Sequence, residues 1–111
     1  METTLTPDFI LDSLCIYFGV HPRAIKGSFR SPFMLDTRQV IVYFLLKQTP
    51  LNFTEIALLL NKTEVHVIAL YKQHKLEMRN LDYAKKISMA ESHLAKMHSL
   101  QKEIDIELIE T

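Results

Sequence analysis

Apolar residues in this chain recur every three or four positions, and before the tail no stretch alternates in the two-residue rhythm of a strand. The pattern therefore predicts a succession of α-helices. Phe9, Ile10, Leu14, Tyr17 and Phe18 form the first apolar stripe. Thr6 can cap that helix, Pro7 suits its first position, and Gly19 ends it. Val20-His21-Pro22 opens a short second helix around Arg23–Ile25, and Lys26-Gly27-Ser28-Phe29-Arg30-Ser31-Pro32 follows as a polar, basic loop. A third helix is expected over roughly 35–48, with Val40, Ile41, Phe44 and Leu45 inward, and Thr49-Pro50-Leu51-Asn52 connects it to the next. A last helix, from about Asp82, carries Ile87, Ala90, Leu94 and Met97.

The most informative stretch is residues 53–75, where two helical patterns meet across a short polar break. Thr54 can cap the first, whose apolar residues include Ile56, Leu59 and Leu60. Asn61-Lys62-Thr63 interrupts it, and Asn tolerates the left-handed geometry that ends helices. Thr63 can cap the second, with Glu64 at its positive end. Val67, Leu70, Tyr71 and His74 recur at helical spacing, while His66, Ala69 and Gln73, with Val65 at the leading end, form a small or polar opposite face. This is the outline of a helix-turn-helix, whose second helix offers a reading face to the major groove. It is equally the outline of a plain helical hairpin in a bundle.

The tail, Glu103–Glu110, is acidic and holds Ile104, Ile106, Leu108 and Ile109. It either extends the last helix or runs extended. Continuing the helical spacing gives Ile87, Ala90, Leu94, Met97, Gln101, Ile104 and Leu108, a 3–4 alternation over about three heptads. That is the pattern of a dimerising helix, and also of one that packs on its own domain or frays.

Composition narrows the class. A chain of 111 residues with 48% hydrophobic content fits one domain, a core over about 9–98 and an acidic tail over about 99–111. Two Gly and four Pro suit a mostly helical protein. The longest apolar runs, such as Val40–Leu46, are too short to span a membrane. The start lacks the basic-then-apolar order of a signal peptide, so a cytoplasmic setting is the default. Cys15, the single cysteine, lies in an apolar helical pattern and reads as a small core residue.

Net charge is zero, but its distribution is uneven. Residues 21–47 hold five bases (Arg23, Lys26, Arg30, Arg38, Lys47) against Asp36, a net of +4. Residues 62–86 hold six bases (Lys62, Lys72, Lys75, Arg79, Lys85, Lys86) against three acids, a net of +3, and residues 87–111 return to −3. Phosphate binding depends on local cation density, so a neutral total does not exclude nucleic acid.

With those segments in view, the chain resembles the C-terminal DNA-binding domain of the bacterial chromosomal replication initiator, DnaA, over about residues 9–98. Ile10–Val20 looks like that domain's opening helix, and Ile25-Lys26-Gly27 through Arg30-Ser31 is similar to its basic loop. Thr37-Arg38-Gln39-Val40-Ile41-Val42-Tyr43-Phe44-Leu45 looks like its Arg-Gln helix, and Thr54-Glu55-Ile56-Ala57 like the entry to its helix-turn-helix. The resemblance implies an all-α helix-turn-helix domain of five to six helices with an extra C-terminal helix. It also implies a minor-groove role for Arg30 and a phosphate-backbone role for Arg38, whose alternative is a surface ion pair with Asp36. The family signature Arg-Asp-His-(Thr/Ser)-Thr-Val aligns, with one deletion, on Lys62-Thr63-Glu64-Val65-His66-Val67. Only the basic Lys62 and the core Val67 match, so the scaffold is kept while the reading head differs. No Gly-rich Lys loop for nucleotide phosphates occurs in the chain.

These readings converge on duplex DNA binding as a small regulator or replication-accessory factor. Residues 64–79 would lie in the major groove with the Arg30 loop toward the minor groove. The expected DNA-binding residues are Arg30, Arg38, Lys62, Thr63, Val65, His66, Ala69, Lys72 and Gln73. Gln73 suits adenine, Val65 a thymine methyl, and Lys62 and Lys72 phosphates. Double-stranded DNA and a second copy, through the C-terminal helix, are the expected partners; no membrane or small-molecule substrate is. The rival reading is a protein-interaction module that keeps the fold without binding DNA, favoured by zero net charge, Glu64 and the missing signature. Neither a metal site, a cofactor nor an enzyme is expected. His93 and His98 are five apart, His66 and His74 are eight apart, and no nucleophile–base pair stands out.

Overall fold

The computed structural model describes residues 5–110, with side chains through Leu108; the side chain of Ile109 lies outside the described residues. Six helices follow one another: α1 (Pro7–Phe18), α2 (Pro22–Lys26), α3 (Pro32–Gln48), α4 (Phe53–Leu60), α5 (Glu64–Glu77) and α6 (Leu81–Glu110). No strand occurs among the described residues, so the all-α expectation holds.

Most boundaries are set by side chains within a few residues of the helix start. Thr6 accepts the amide of Phe9 at 3.1 Å, and Pro7 opens α1. Gly19 closes it in the left-handed region, at φ 70°. α3 begins three residues earlier than the apolar pattern suggests. Ser31 accepts the amide of Met34, and Pro32 sits at the first helical position, where its missing N–H costs nothing. The cap of α4 is also a correction: Asn52, not Thr54, holds that role. Asn52 and Glu55 form a reciprocal capping box, Oδ1 accepting from the Glu55 amide at 2.8 Å and Glu55 Oε1 accepting from the Asn52 amide at 3.1 Å. The Thr54 hydroxyl instead donates to Glu64 at 3.0 Å, tying the start of α4 to the start of α5.

One apolar core joins the helices. α3 lies at its centre, with Val40, Ile41, Val42, Phe44 and Leu45 fully buried. α1 covers one side of α3 through Ile10, Leu11 and Leu14, and α5 covers another through Val67 and Leu70. α6 packs along α1 through Leu94 and Ala90, and His93 Nε2 lies 3.0 Å from the Ser13 carbonyl. A buried polar chain links α3, α5 and α6. His74 Nδ1 meets the Tyr83 hydroxyl at 2.8 Å, and Gln39 Nε2 lies 3.4 Å from that hydroxyl and 3.3 Å from Glu77 Oε2. Tyr43 stacks on the His74 ring at 4.2 Å.

The tail extends α6. Beyond His98 the helix continues to Glu110 with Leu100, Ile104, Ile106 and Leu108 exposed.

Candidate nucleic-acid interface

α4 and α5 are joined by three residues, Asn61-Lys62-Thr63. Asn61 takes the left-handed conformation, φ 57°, and its amide caps the carbonyls of Ala57 and Leu58. Thr63 Oγ1 accepts the amide of His66 at 3.1 Å and starts α5. The loop 27–31, between α2 and α3, is drawn against this turn. Asn61 Nδ2 donates to the Lys26 carbonyl at 3.3 Å, and the Lys62 ammonium donates to the Gly27 carbonyl.

Arg38 holds the same loop from beneath. Its side chain is buried, 2% exposed, rather than on the surface of α3. Nε donates to the Ile25 carbonyl at 3.0 Å, and Nη2 donates to the carbonyls of Ala24 and Gly27, both at 3.1 Å. The alternative, a surface ion pair with Asp36, is not formed: Asp36 faces Lys86 at 3.3 Å. A guanidinium is suited to this position: it remains charged when buried, and its fork of donors meets several helix-terminal carbonyls at once. Arg38 is thus first a clamp on the end of α2.

Between the loop and the turn lies an open concavity of about 480 Å³, lined by Gly27, Ser28, Arg30, Arg38, Asn61, Lys62, Thr63 and His66. No carboxylate lines it. The electrostatics carry that imprint. Burial and the neighbouring Arg30 both push the Arg38 pKa down. Burial, then Arg38 and Arg30, lower that of Lys62. His66 is pushed below the ordinary imidazole value by burial and then by Lys62, Arg30 and Arg38.

The expected site residues thus divide. Arg30, Arg38, Lys62, Thr63 and His66 are brought together around one concavity. Val65, Ala69, Lys72 and Gln73 run along the exposed face of α5 instead, opposite the buried Val67, Leu70 and His74. Gln73 Nε2 donates to Glu77 at 3.0 Å. At the far end of that face, Lys72, Lys75, Leu76 and Arg79 surround a second hollow of about 450 Å³. The Lys75 ammonium stands 5.3 Å from the centre of the Tyr71 ring.

Ser28, Asn61, Lys75 and Arg79 were not legible as site residues. Asn61 signals a turn, and only the tertiary approach of the 27–31 loop gives it a place in the concavity. Lys75 and Arg79 had a weak signal in the +3 charge of residues 62–86. Among the described residues, no group of three or more His, Cys, Asp or Glu side chains is placed to hold a metal ion, and no helix is long and apolar enough to cross a membrane.

No protein-family model matches the chain, and no curated protein matches it.

Proposed function

We propose that this chain binds duplex DNA without catalysis, as an initiator-like helix-turn-helix protein acting as a regulator or replication-accessory factor. One observation carries the reading. Two cationic clusters bracket the exposed face of α5: Arg30, Arg38 and Lys62, with the His66 imidazole beside them, at its start, and Lys72, Lys75 and Arg79 toward its end. At about 1.5 Å per residue, positions 62–79 extend roughly 25 Å. That is enough for a helix in a roughly 12 Å wide major groove to reach both phosphate walls. The strip between the clusters includes Val65, Ala69 and Gln73, which offer methyl contact and amide hydrogen bonding rather than repulsion. Arg30, exposed on the loop between α2 and α3, would follow an adjacent groove. Glu64 has the wrong sign for a phosphate contact, and its bond to Thr54 gives it a local role instead.

The test is titration of a random-sequence duplex pool by fluorescence anisotropy at low and moderate salt, with selection and sequencing of bound DNA. Affinity should fall steeply with salt. Arg30→Ala and Lys72→Ala should each reduce the logarithmic salt slope by about 0.9 per lost phosphate contact. A folded protein with no salt-sensitive binding would remove the DNA reading.

A second reading, a protein-interaction module, is favoured by the far end of α6. There Leu100, Ile104 and Ile106 stand 43%, 51% and 54% exposed. A second copy pairing along this segment would serve either reading, and for a DNA binder it would suit a two-fold symmetric site.

A further inference from the structure

We propose that the concavity between the 27–31 loop and the α4–α5 turn is also a binding site for a small ligand carrying two linked phosphates, and that this ligand and DNA exclude one another. The anion site stands on its own geometry; the competition rests on the DNA reading.

The first argument is charge. Arg30, Arg38 and Lys62 are permanent cations at neutral pH, His66 adds a titratable fourth group, and no lining carboxylate offsets them. A single backbone phosphodiester carries one negative charge, which leaves most of that field uncompensated. Two linked phosphates match it more closely. Burial is the largest cause of the lowered pKa of Arg38, Lys62 and His66, and the neighbouring cations add to it: Arg30 acts on all three, and Arg38 on Lys62 and His66.

The second argument is pre-organisation. Arg38 is 2% exposed, and Nε and Nη2 are committed to three carbonyls. Nη1 has no partner among the described residues, yet it is not sealed from solvent, since no buried side-chain nitrogen or oxygen is left without a partner. The guanidinium therefore lies fixed beneath the concavity that Arg38 helps to line. Holding a cation in place before the ligand arrives removes the ordering cost that a mobile surface lysine would incur. Thr63 lines the same space at the start of α5, a helix of 14 residues, so the positive end of the helix adds to the field.

The third argument is size and lining. About 480 Å³ falls within the range of small-molecule sites and is far more than one phosphate fills. No Phe, Tyr or Trp lines it, and the His66 imidazole is the one aromatic ring in the lining. Recognition would rest on the phosphates. Ser28 and Asn61 supply neutral polar groups at the rim.

The test is isothermal titration of the full chain with inorganic pyrophosphate, orthophosphate and sulfate at equal ionic strength, together with pyrophosphate displacement of a fluorescent duplex. Pyrophosphate should bind one to one, at least about tenfold more tightly than sulfate. Arg30→Ala should weaken it about tenfold or more, the loss expected for one charge-assisted hydrogen bond. Lys72→Ala, at the other end of α5, should weaken duplex binding and leave pyrophosphate binding unchanged. Circular dichroism establishes that both exposed-site variants fold. Pyrophosphate no tighter than sulfate, or insensitive to Arg30→Ala, overturns the site even if DNA binds. Pyrophosphate binding without duplex binding upholds the site and removes the DNA reading. A duplex that stays bound under saturating pyrophosphate overturns the competition. A nucleoside diphosphate that binds as tightly as pyrophosphate supports a nucleotide source; weaker binding supports the bare anion.

Discussion

Replacing Arg38 by Met should cost the folded state about 3 kcal/mol. The substitution keeps side-chain length and apolar packing but deletes every donor. The Gly27 carbonyl retains the Lys62 ammonium, and the Ala24 carbonyl retains the Gly27 amide at 3.3 Å. The Ile25 carbonyl has Arg38 Nε as its donor outside the regular helix bonds, so it bears the largest loss. An unmade bond at a buried acceptor costs about 1–3 kcal/mol, and bonds from a charged donor contribute about 1.5–3 kcal/mol each. They are not additive, because one guanidinium supplies all three; about 3 kcal/mol is therefore the working figure. For a domain of this size that lowers Tm by roughly 12 °C. Urea denaturation followed by circular dichroism measures it, with Arg30→Met as the control. Arg30 is exposed, so its loss should fall within about 0.5 kcal/mol of the parent. Equal stability of the two variants would refute the clamp.

Three further outcomes follow from the same geometry. His74 is pushed below the ordinary imidazole value, chiefly by burial, so the unfolded chain takes up its proton first. Stability should be full above about pH 6.5 and fall as pH drops through 6.5 toward the depressed native value. His66 shifts in the same direction. A His66→Gln, His74→Phe double variant should therefore show a flatter urea midpoint between pH 7.5 and 5, and an unchanged slope would exclude both groups as the source. Burial pushes the Cys15 thiol up to about 11, so a thiol reagent at pH 8 should label the unfolded chain quickly and the native chain slowly. Removal of residues 99–111 should leave the thermal midpoint within a few degrees, because the core ends at Leu94; sedimentation of the two forms would then show whether self-association depends on that segment.

The sequence made the helices legible because their ends are written in adjacent residues. Thr6 with Pro7, Gly19, Asn61 and Thr63 all act where local chemistry assigns them. The misread starts have equally local causes. At α4, Asn52 and Glu55 form a better box than Thr54 can, and at α3 the Ser31-Pro32 cap lies outside the apolar periodicity that suggested a later start. The site was less legible. Val65, Ala69 and Gln73 follow from helical spacing alone, so their shared exposed face could be read in advance. Arg38 could not, since nothing within a few residues of it reveals that the carbonyl end of α2 lies beneath its side chain. The concavity likewise depends on contacts across some 35 residues, from Asn61 and Lys62 to Lys26 and Gly27, which no local pattern encodes.

The pairing of α1 with α6 sets when the fold can be completed. His93 reaches the Ser13 carbonyl across 80 residues, and Leu94 joins the same apolar core as Leu11 and Leu14. During synthesis at about 5–20 residues per second, the inner face of α1 stays without that cover for roughly 4–16 s, while the rest of the chain is made. Helices α2 to α5 can form and meet in that interval, but closure waits for the first half of α6 to clear the ribosome. The nascent chain therefore spends seconds with an apolar helix face open to chaperones or to another copy of itself, and the first half of α6 acts as its latch.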